Sequence, residues 1–207
     1  LDITRGHLIP VVVVDEARDA DGLAGALVAG GLPVVEVTLR TAAAVAAIAA
    51  IAARGDIVVG AGTVLSPAQV DRAVDAGARF VVSPGLSRAV VERCAELDVL
   101  ALPGAVTATE VMAALDLGCT TLKYFPAGTS GGAAGIAALA APFGAVRFVP
   151  TGGVGPTSLE EYLALPAVAA VGGSWMAPRR LIREQRFDEI ARLVAEATAA
   201  VGTGLSA

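Results

Sequence analysis

Leu8-Ile9-Pro10-Val11-Val12-Val13-Val14-Asp15-Glu16-Ala17 is the stretch on which the fold turns. Its apolar residues are consecutive and do not alternate with polar ones. That pattern belongs to a strand buried on both faces, hence to a parallel sheet covered by helices. The end of the run decides which parallel sheet. An open doubly wound sheet usually announces itself with a GxGxxG turn after the first strand. Here the strand runs into Val14-Asp15-Glu16-Ala17 with no glycine, and the later Gly60-Ala61-Gly62-Thr63-Val64-Leu65 lacks the third glycine.

Working outward, the same kind of run recurs at Val34 to Leu39, Ile57 to Gly60, Phe80 to Val82, Val99 to Leu102, Thr121 to Phe125, Val146 to Val149 and Ala167 to Val171. Between them lie Ala-rich segments of helical period, over about Asp19–Ala29, Ala42–Ala53, Ser87–Leu97, Gly132–Ala141, Ser158–Ala164 and finally Phe187–Val201. A further helix opens at Ser66-Pro67, an N-cap and first-turn proline, and another at Thr107, where Glu110 completes a capping box. Eight β/α units with no linker between them predict an α/β protein built as one (β/α)8 TIM barrel over residues 1–207, with 202–207 as a loose tail.

Composition narrows the function. The 207 residues are 55% apolar and 17% charged, with a net charge of −5 and no basic cluster, which argues against a nucleic-acid surface. There is no membrane-length apolar run and no signal-type N-terminus, so the expectation is a soluble cytoplasmic protein. Cys94 and Cys119 have no metal-type spacing and His7 is the only histidine, which leaves no material for a zinc site, a disulfide framework or a His-based triad.

Of the 15 basic residues, 14 are arginine, and the one lysine, Lys123, lies in the apolar run Thr120-Thr121-Leu122-Lys123-Tyr124-Phe125-Pro126. A guanidinium stays protonated, whereas a desolvated amine can lose its proton and attack a carbonyl. In a barrel the chemistry collects at the C-terminal ends of the strands. Alternation in the second run puts Val34, Glu36, Thr38 and Arg40 toward the barrel interior and Val35, Val37 and Leu39 toward the helices. A glutamate there needs a partner. Either Glu36 pairs with Arg40 as an internal tie, or Glu36 is a general base beside a carboxylate-binding Arg40. Lysine, carboxylate and arginine together suit a 2-oxo acid. The lysine makes an iminium, the arginine pairs with the carboxylate, and the glutamate moves a proton. Such chemistry calls for no metal and no cofactor beyond a covalent imine on Lys123. Thr151-Gly152-Gly153 and Gly172-Gly173-Ser174, after the last two strands, offer backbone N–H groups to a phosphate.

Several segments together resemble the 2-dehydro-3-deoxy-phosphogluconate and 4-hydroxy-2-oxoglutarate aldolases. They are Ile9-Pro10-Val11, Val35-Glu36-Val37-Thr38-Leu39-Arg40-Thr41, Gly60-Ala61-Gly62-Thr63-Val64, Ser83-Pro84-Gly85, Leu102-Pro103-Gly104, Lys123-Tyr124-Phe125-Pro126-Ala127, Pro150-Thr151-Gly152-Gly153-Val154 and Gly172-Gly173-Ser174-Trp175. The resemblance implies Lys123 as Schiff-base former and Glu36 as proton acceptor. It implies Arg40, Thr63, Pro84 and Phe125 around the pyruvate moiety, and Thr151, Gly152, Gly153 and Ser174, beside Gly173, near a distal phosphate. Tyr124 stands where the family more usually has Phe, and it should face the helices.

Three readings follow. The first is a lyase splitting a phosphorylated 2-dehydro-3-deoxy sugar acid into pyruvate and glyceraldehyde 3-phosphate. The second is a lyase acting on 4-hydroxy-2-oxoglutarate, and the third a barrel serving mainly as an assembly scaffold. An oligomer is expected in each. The helix from Thr41 to Ala53 carries no charge, with Val45, Ile48 and Ile51 toward the barrel and Ala43, Ala46, Ala50 and Ala53 facing out. The resemblance separately implies a trimer.

Overall fold

Strand β1 (Leu8–Val12) is followed by α1 (Ala20–Ala29), and β2 (Val34–Thr38) by α2 (Ala44–Ala52), in a computed structural model that describes residues 2–204. The alternation continues through β3 (Val58–Gly62), α3 (Pro67–Asp75), β4 (Phe80–Val82), α4 (Arg88–Glu96), β5 (Leu100–Leu102) and α5 (Ala108–Leu115). It ends with β6 (Thr121–Tyr124), α6 (Gly132–Ala140), β7 (Arg147–Pro150), α7 (Leu159–Leu163), β8 (Val171–Gly173), α8 (Arg179–Arg183) and α9 (Phe187–Gly204). Every ladder is parallel. Six strands form one curled half-barrel sheet in the order β5-β4-β3-β2-β1-β8, and β6 and β7 form a second ladder. Isolated parallel bridges, Gly104 to Lys123, Phe148 to Val168 and Thr151 to Gly172, lie between the two.

The apolar residues divide into two clusters, and the division explains which way β2 points. Ile9, Val34, Phe80, Val82, Leu102 and Val149 make a small cluster enclosed by the strands, plugged by Ile3. Leu8, Val12, Val35, Val37, Leu122 and Phe148 belong to a larger cluster with helical residues such as Leu27, Ile48 and Ile190. Val34 and Val35 thus face opposite layers, so Glu36 and Thr38 share the inner side with Val34. Tyr124 faces the helices as the sequence predicts. It stacks edge-on against Phe148, with ring centroids 6.0 Å apart, and its hydroxyl donates to the Ser130 carbonyl.

Some details differ from the sequence reading. The capping box at Thr107 and Glu110 forms, but Ser66 makes no side-chain cap; instead Leu65 N–H donates to Gln69 Oε1 at 2.6 Å. Strand β8 begins where the apolar run Ala167 to Val171 ends. Gly172 and Gly173 pair with Ile9 and Pro10, because a side chain at 172 would collide with Thr151. Helix α8 has too short an apolar period to stand out in the sequence. Helix α9 runs on to Gly204 in place of the tail expected from Gly202, and residues 205–207 of that tail lie outside the described residues. No described helix is long and apolar enough to cross a membrane.

Candidate active site

Lys123 sits in the middle of β6, its backbone tied on both sides. Its N–H donates to Pro103 O at 2.8 Å, and its carbonyl accepts from Ala105 N–H at 2.9 Å. Alternation turns Leu122 and Tyr124 to the helices and Lys123 inward, where the residue is 6% exposed. Glu36, 2% exposed, projects from β2. The Lys123 ammonium donates to Glu36 Oε1 at 3.2 Å and reaches Oε2 at 3.5 Å. It also lies 5.3 Å from the centre of the Phe125 ring, a cation–π contact. Each charge is thus paired away from water, as burial demands.

Of the two readings the sequence left open, the internal tie of Glu36 to Arg40 does not form; Glu36 pairs with Lys123. The strand ends at Thr38, whose hydroxyl donates to Val12 O at 2.9 Å, and the chain then turns, with Arg40 N–H bonding Thr38 O at 2.8 Å. That turn takes Arg40 off the alternation. Its side chain is exposed and has no ion pair among the described residues.

Two residues beyond each member of this pair, Thr38 and Phe125 line a cavity of about 620 Å³, a size suited to a metabolite, while Glu36 and Lys123 themselves lie outside its lining. Thr38, Arg40, Phe125, Thr151, Gly152, Gly153, Gly173 and Ser174 line it. Gly152 and Gly153 have φ of 86° and 77°, the left-handed conformation that favours glycine. Thr63, with φ of 57°, and Pro84 follow β3 and β4 and are half-buried outside the lining of this cavity. Among the described residues, no group of three or more His, Cys, Asp or Glu could hold a metal ion.

Three residues without an assigned role in the sequence reading also belong here. Trp175 lies across Gly173, so closely that any side chain at 173 would run into the indole. Arg179 lines the cavity and holds Asp15 in a two-pronged ion pair. Hydrogen bonding from Arg179, helped by the nearby Arg183 charge, keeps the Asp15 carboxyl below its ordinary pKa. The signal in the sequence was there: Arg179, Arg180 and Arg183 crowd the segment after the eighth strand of an acidic chain. Two cations, Arg40 and Arg179, thus line the cavity.

The chain is 44% identical over 196 residues to the KHG/KDPG aldolase of Escherichia coli strain K12, covering 94% of this chain and 92% of that one. A KDPG aldolase from Legionella pneumophila, solved with pyruvate captured as a covalent carbinolamine intermediate, superposes with a TM-score of 0.90 at 39% identity, covering 95% of this chain and 98% of the other. The Zymomonas mobilis ZM4 2-keto-3-deoxy-6-phosphogluconate aldolase, solved with 3-phosphoglycerate, also gives 0.90, at 42% identity and coverages of 96% and 95%. The match to the KDPG and KHG aldolase family runs over residues 2–193, and the chain belongs to that family.

Proposed function

We propose that this protein is a class I aldolase that cleaves 2-dehydro-3-deoxy-6-phosphogluconate to pyruvate and glyceraldehyde 3-phosphate. The observation that carries the reading is the buried Lys123–Glu36 pair, 3.2 Å apart, on strands whose next inward residues, Thr38 and Phe125, line a cavity with two arginines. Lys123 passes its proton to Glu36, and the free amine attacks C2 of the 2-oxo acid. Glu36 returns that proton to the carbinolamine hydroxyl, which leaves as water, so that an iminium forms and Glu36 is again a carboxylate. Glu36, as carboxylate, takes the proton of the C4 hydroxyl, directly or through water. The C3–C4 bond breaks, its electron pair moves into the iminium to form an enamine, and the aldehyde leaves. Glu36 returns the proton to C3, and water releases pyruvate from Lys123. Arg40 pairs with the substrate carboxylate. Thr63, Pro84 and Phe125 enclose the pyruvate portion, while Thr151, Gly152, Gly153, Gly173 and Ser174 receive the distal phosphate.

The same reading takes residues 1–207 as a single domain and closes the eight strands into a barrel; the three parallel bridges between the six-stranded sheet and the β6–β7 ladder support closure. It takes the protein as a cytoplasmic homo-oligomer, a trimer by the resemblance. The uncharged outer face of α2, where Ala46 and Ala53 are exposed, supports a subunit contact there.

The test is reductive trapping. Borohydride with pyruvate should add one reduced adduct to the Lys123 peptide and abolish cleavage. Glu36→Gln should keep the fold and lose about 10²- to 10⁴-fold of the exchange of pyruvate methyl protons with deuterated water. An unmodified Lys123 in an inactivated enzyme, or activity surviving the treatment, rules the mechanism out.

A further inference from the structure

Asp15, just past β1, pairs with Arg179, which stands at the start of α8 and lines the cavity. Arg179 Nε donates to Asp15 Oδ2 at 2.9 Å and Nη2 to Oδ1 at 2.5 Å. The pair is not part of the core: Arg179 is 53% and Asp15 25% exposed, and its two-pronged geometry makes it stronger than an ordinary surface ion pair while leaving it within reach of solvent. The imine chemistry at Lys123 does not use it. Yet Arg179 lines the same cavity as Gly152, Gly153 and Ser174.

The surrounding charges leave Arg179 able to change partners. Arg183 Nε lies 4.0 Å from Asp15 Oδ2, so Asp15 keeps a counter-charge if Arg179 turns away. Arg180 is occupied by Glu184 at 2.6 Å, which leaves Arg179 as the cation of this segment committed to the cavity side. A guanidinium fork pairs with a phosphate as readily as with a carboxylate, and a dianion attracts it more strongly than the single charge of Asp15.

We propose that Arg179 is a specificity-determining residue for the distal phosphate, and that Asp15 is the internal anion which that phosphate must displace. The inference rests on the aldolase reading above. Asp15 sets a threshold. A substrate long enough to bring a phosphate dianion to this part of the cavity wall draws Arg179 off Asp15. One ending in a carboxylate close to the cleaved bond, such as 4-hydroxy-2-oxoglutarate, leaves the ion pair as it is.

The two halves of the pair then act in opposite directions, which a structural tie would not do. Kinetic constants on both substrates, with thermal melts alongside, are measured for the wild type, Arg179→Ala and Asp15→Asn. Arg179→Ala should lower kcat/KM for the phosphorylated substrate by about ten- to a hundredfold, mostly through KM, the usual worth of a charge-assisted hydrogen bond. The ratio of kcat/KM between the two substrates should fall by a similar factor. Asp15→Asn should instead lower KM for the phosphorylated substrate severalfold, because the competing anion is gone. Added salt should raise that KM less in Arg179→Ala than in the wild type. Losses of the same sign in both variants and on both substrates overturn the inference, as does an unchanged substrate ratio in Arg179→Ala. In either case a wild type that cleaves the phosphorylated substrate keeps the aldolase reading intact. A wild type that cleaves neither substrate removes that reading and this inference with it.

Discussion

Substituting alanine for Gly62 tests the position of the Glu36 carboxylate without touching either reacting residue. Gly62 ends β3 directly opposite Thr38 of β2. A methyl group built on it would stand 2.7 Å from both Cγ and Cδ of Glu36, and nearer still to Oε1. The backbone at 62 is not in the left-handed region, so alanine itself is unstrained and the whole cost falls on Glu36. Relief to ordinary contact needs a retreat of about 1 Å. Glu36 is 2% exposed and cannot swing into solvent, so the retreat skews the 3.2 Å bond to Lys123. A misplacement of about 1 Å costs about 10²-fold in rate, while overpacking a core costs about 1–3 kcal/mol, a loss most domains survive. Gly62→Ala should therefore remain folded, with its melting point lowered by about 2–4 °C per kcal/mol lost. Cleavage and pyruvate methyl exchange, the latter followed by NMR in deuterated water, should both fall about a hundredfold, and borohydride should still trap pyruvate on Lys123. A folded Gly62→Ala that exchanges at the wild-type rate would falsify the assignment of proton transfer to this carboxylate.

Three further outcomes are expected. Lys123→Met alone leaves Glu36 buried without its cation and should cost about 3–5 kcal/mol by denaturant unfolding, whereas adding Glu36→Leu should restore stability to the wild-type level or above it. The Glu110 carboxyl loses some solvation by burial, but donation from the Val106 and Thr107 N–H groups and the Thr107 hydroxyl outweighs this and holds its pKa below the ordinary value. Its contribution is thus complete above the unfolded-state pKa and lost as pH falls through the lower folded-state one. Glu110→Ala should cost about 1 kcal/mol at neutral pH, and its unfolding midpoint should converge on the wild type in acid. Light scattering should report an oligomer for the wild type, and Ala46→Glu with Ala53→Arg should dissociate it; an oligomer indifferent to that change moves the contact off α2.

Strand runs were legible wherever burial on both faces made them continuous. The capping box at Thr107 was legible because it is a local bond between residues three apart. Strand β8 was misjudged because its pairing residues are glycines, chosen for what they leave out: room for Thr151 beside Gly172 and for Trp175 over Gly173. Absence of a side chain has no hydrophobic period to read. The partner of Glu36 was equally hidden. Sequence proximity favours Arg40, four residues away, while the bonded cation is 87 residues distant and reached only once β2 and β6 face a common interior. For the same reason Asp15 and Arg179, separated by 164 residues, carried no joint signal. On α2, the alternation of faces was right for Ala46 and Ala53, which are exposed, but Ala43 and Ala50 are half-buried, since an alanine helix has no large side chain to fix its rotation.

What the sequence did carry at a distance was a choice of cation by depth. Every arginine is exposed or half-buried, and the single lysine is 6% exposed. A guanidinium cannot shed its charge, so in the interior it would hold Glu36 in a permanent pair and leave neither group able to react. On the cavity wall that permanence suits the roles proposed for Arg40 and Arg179, which have only to meet anions and are both exposed. An ammonium in the interior has the opposite property. Its pairing with Glu36 satisfies burial in the resting protein, and in the mechanism proposed above one proton passes across that 3.2 Å contact to leave an amine able to attack. In that proposed mechanism the buried pair is a store of one proton and one nucleophile, released together when a carbonyl arrives. A second lysine on the cavity wall would add a competing amine where the carbonyl enters, and the chain has none.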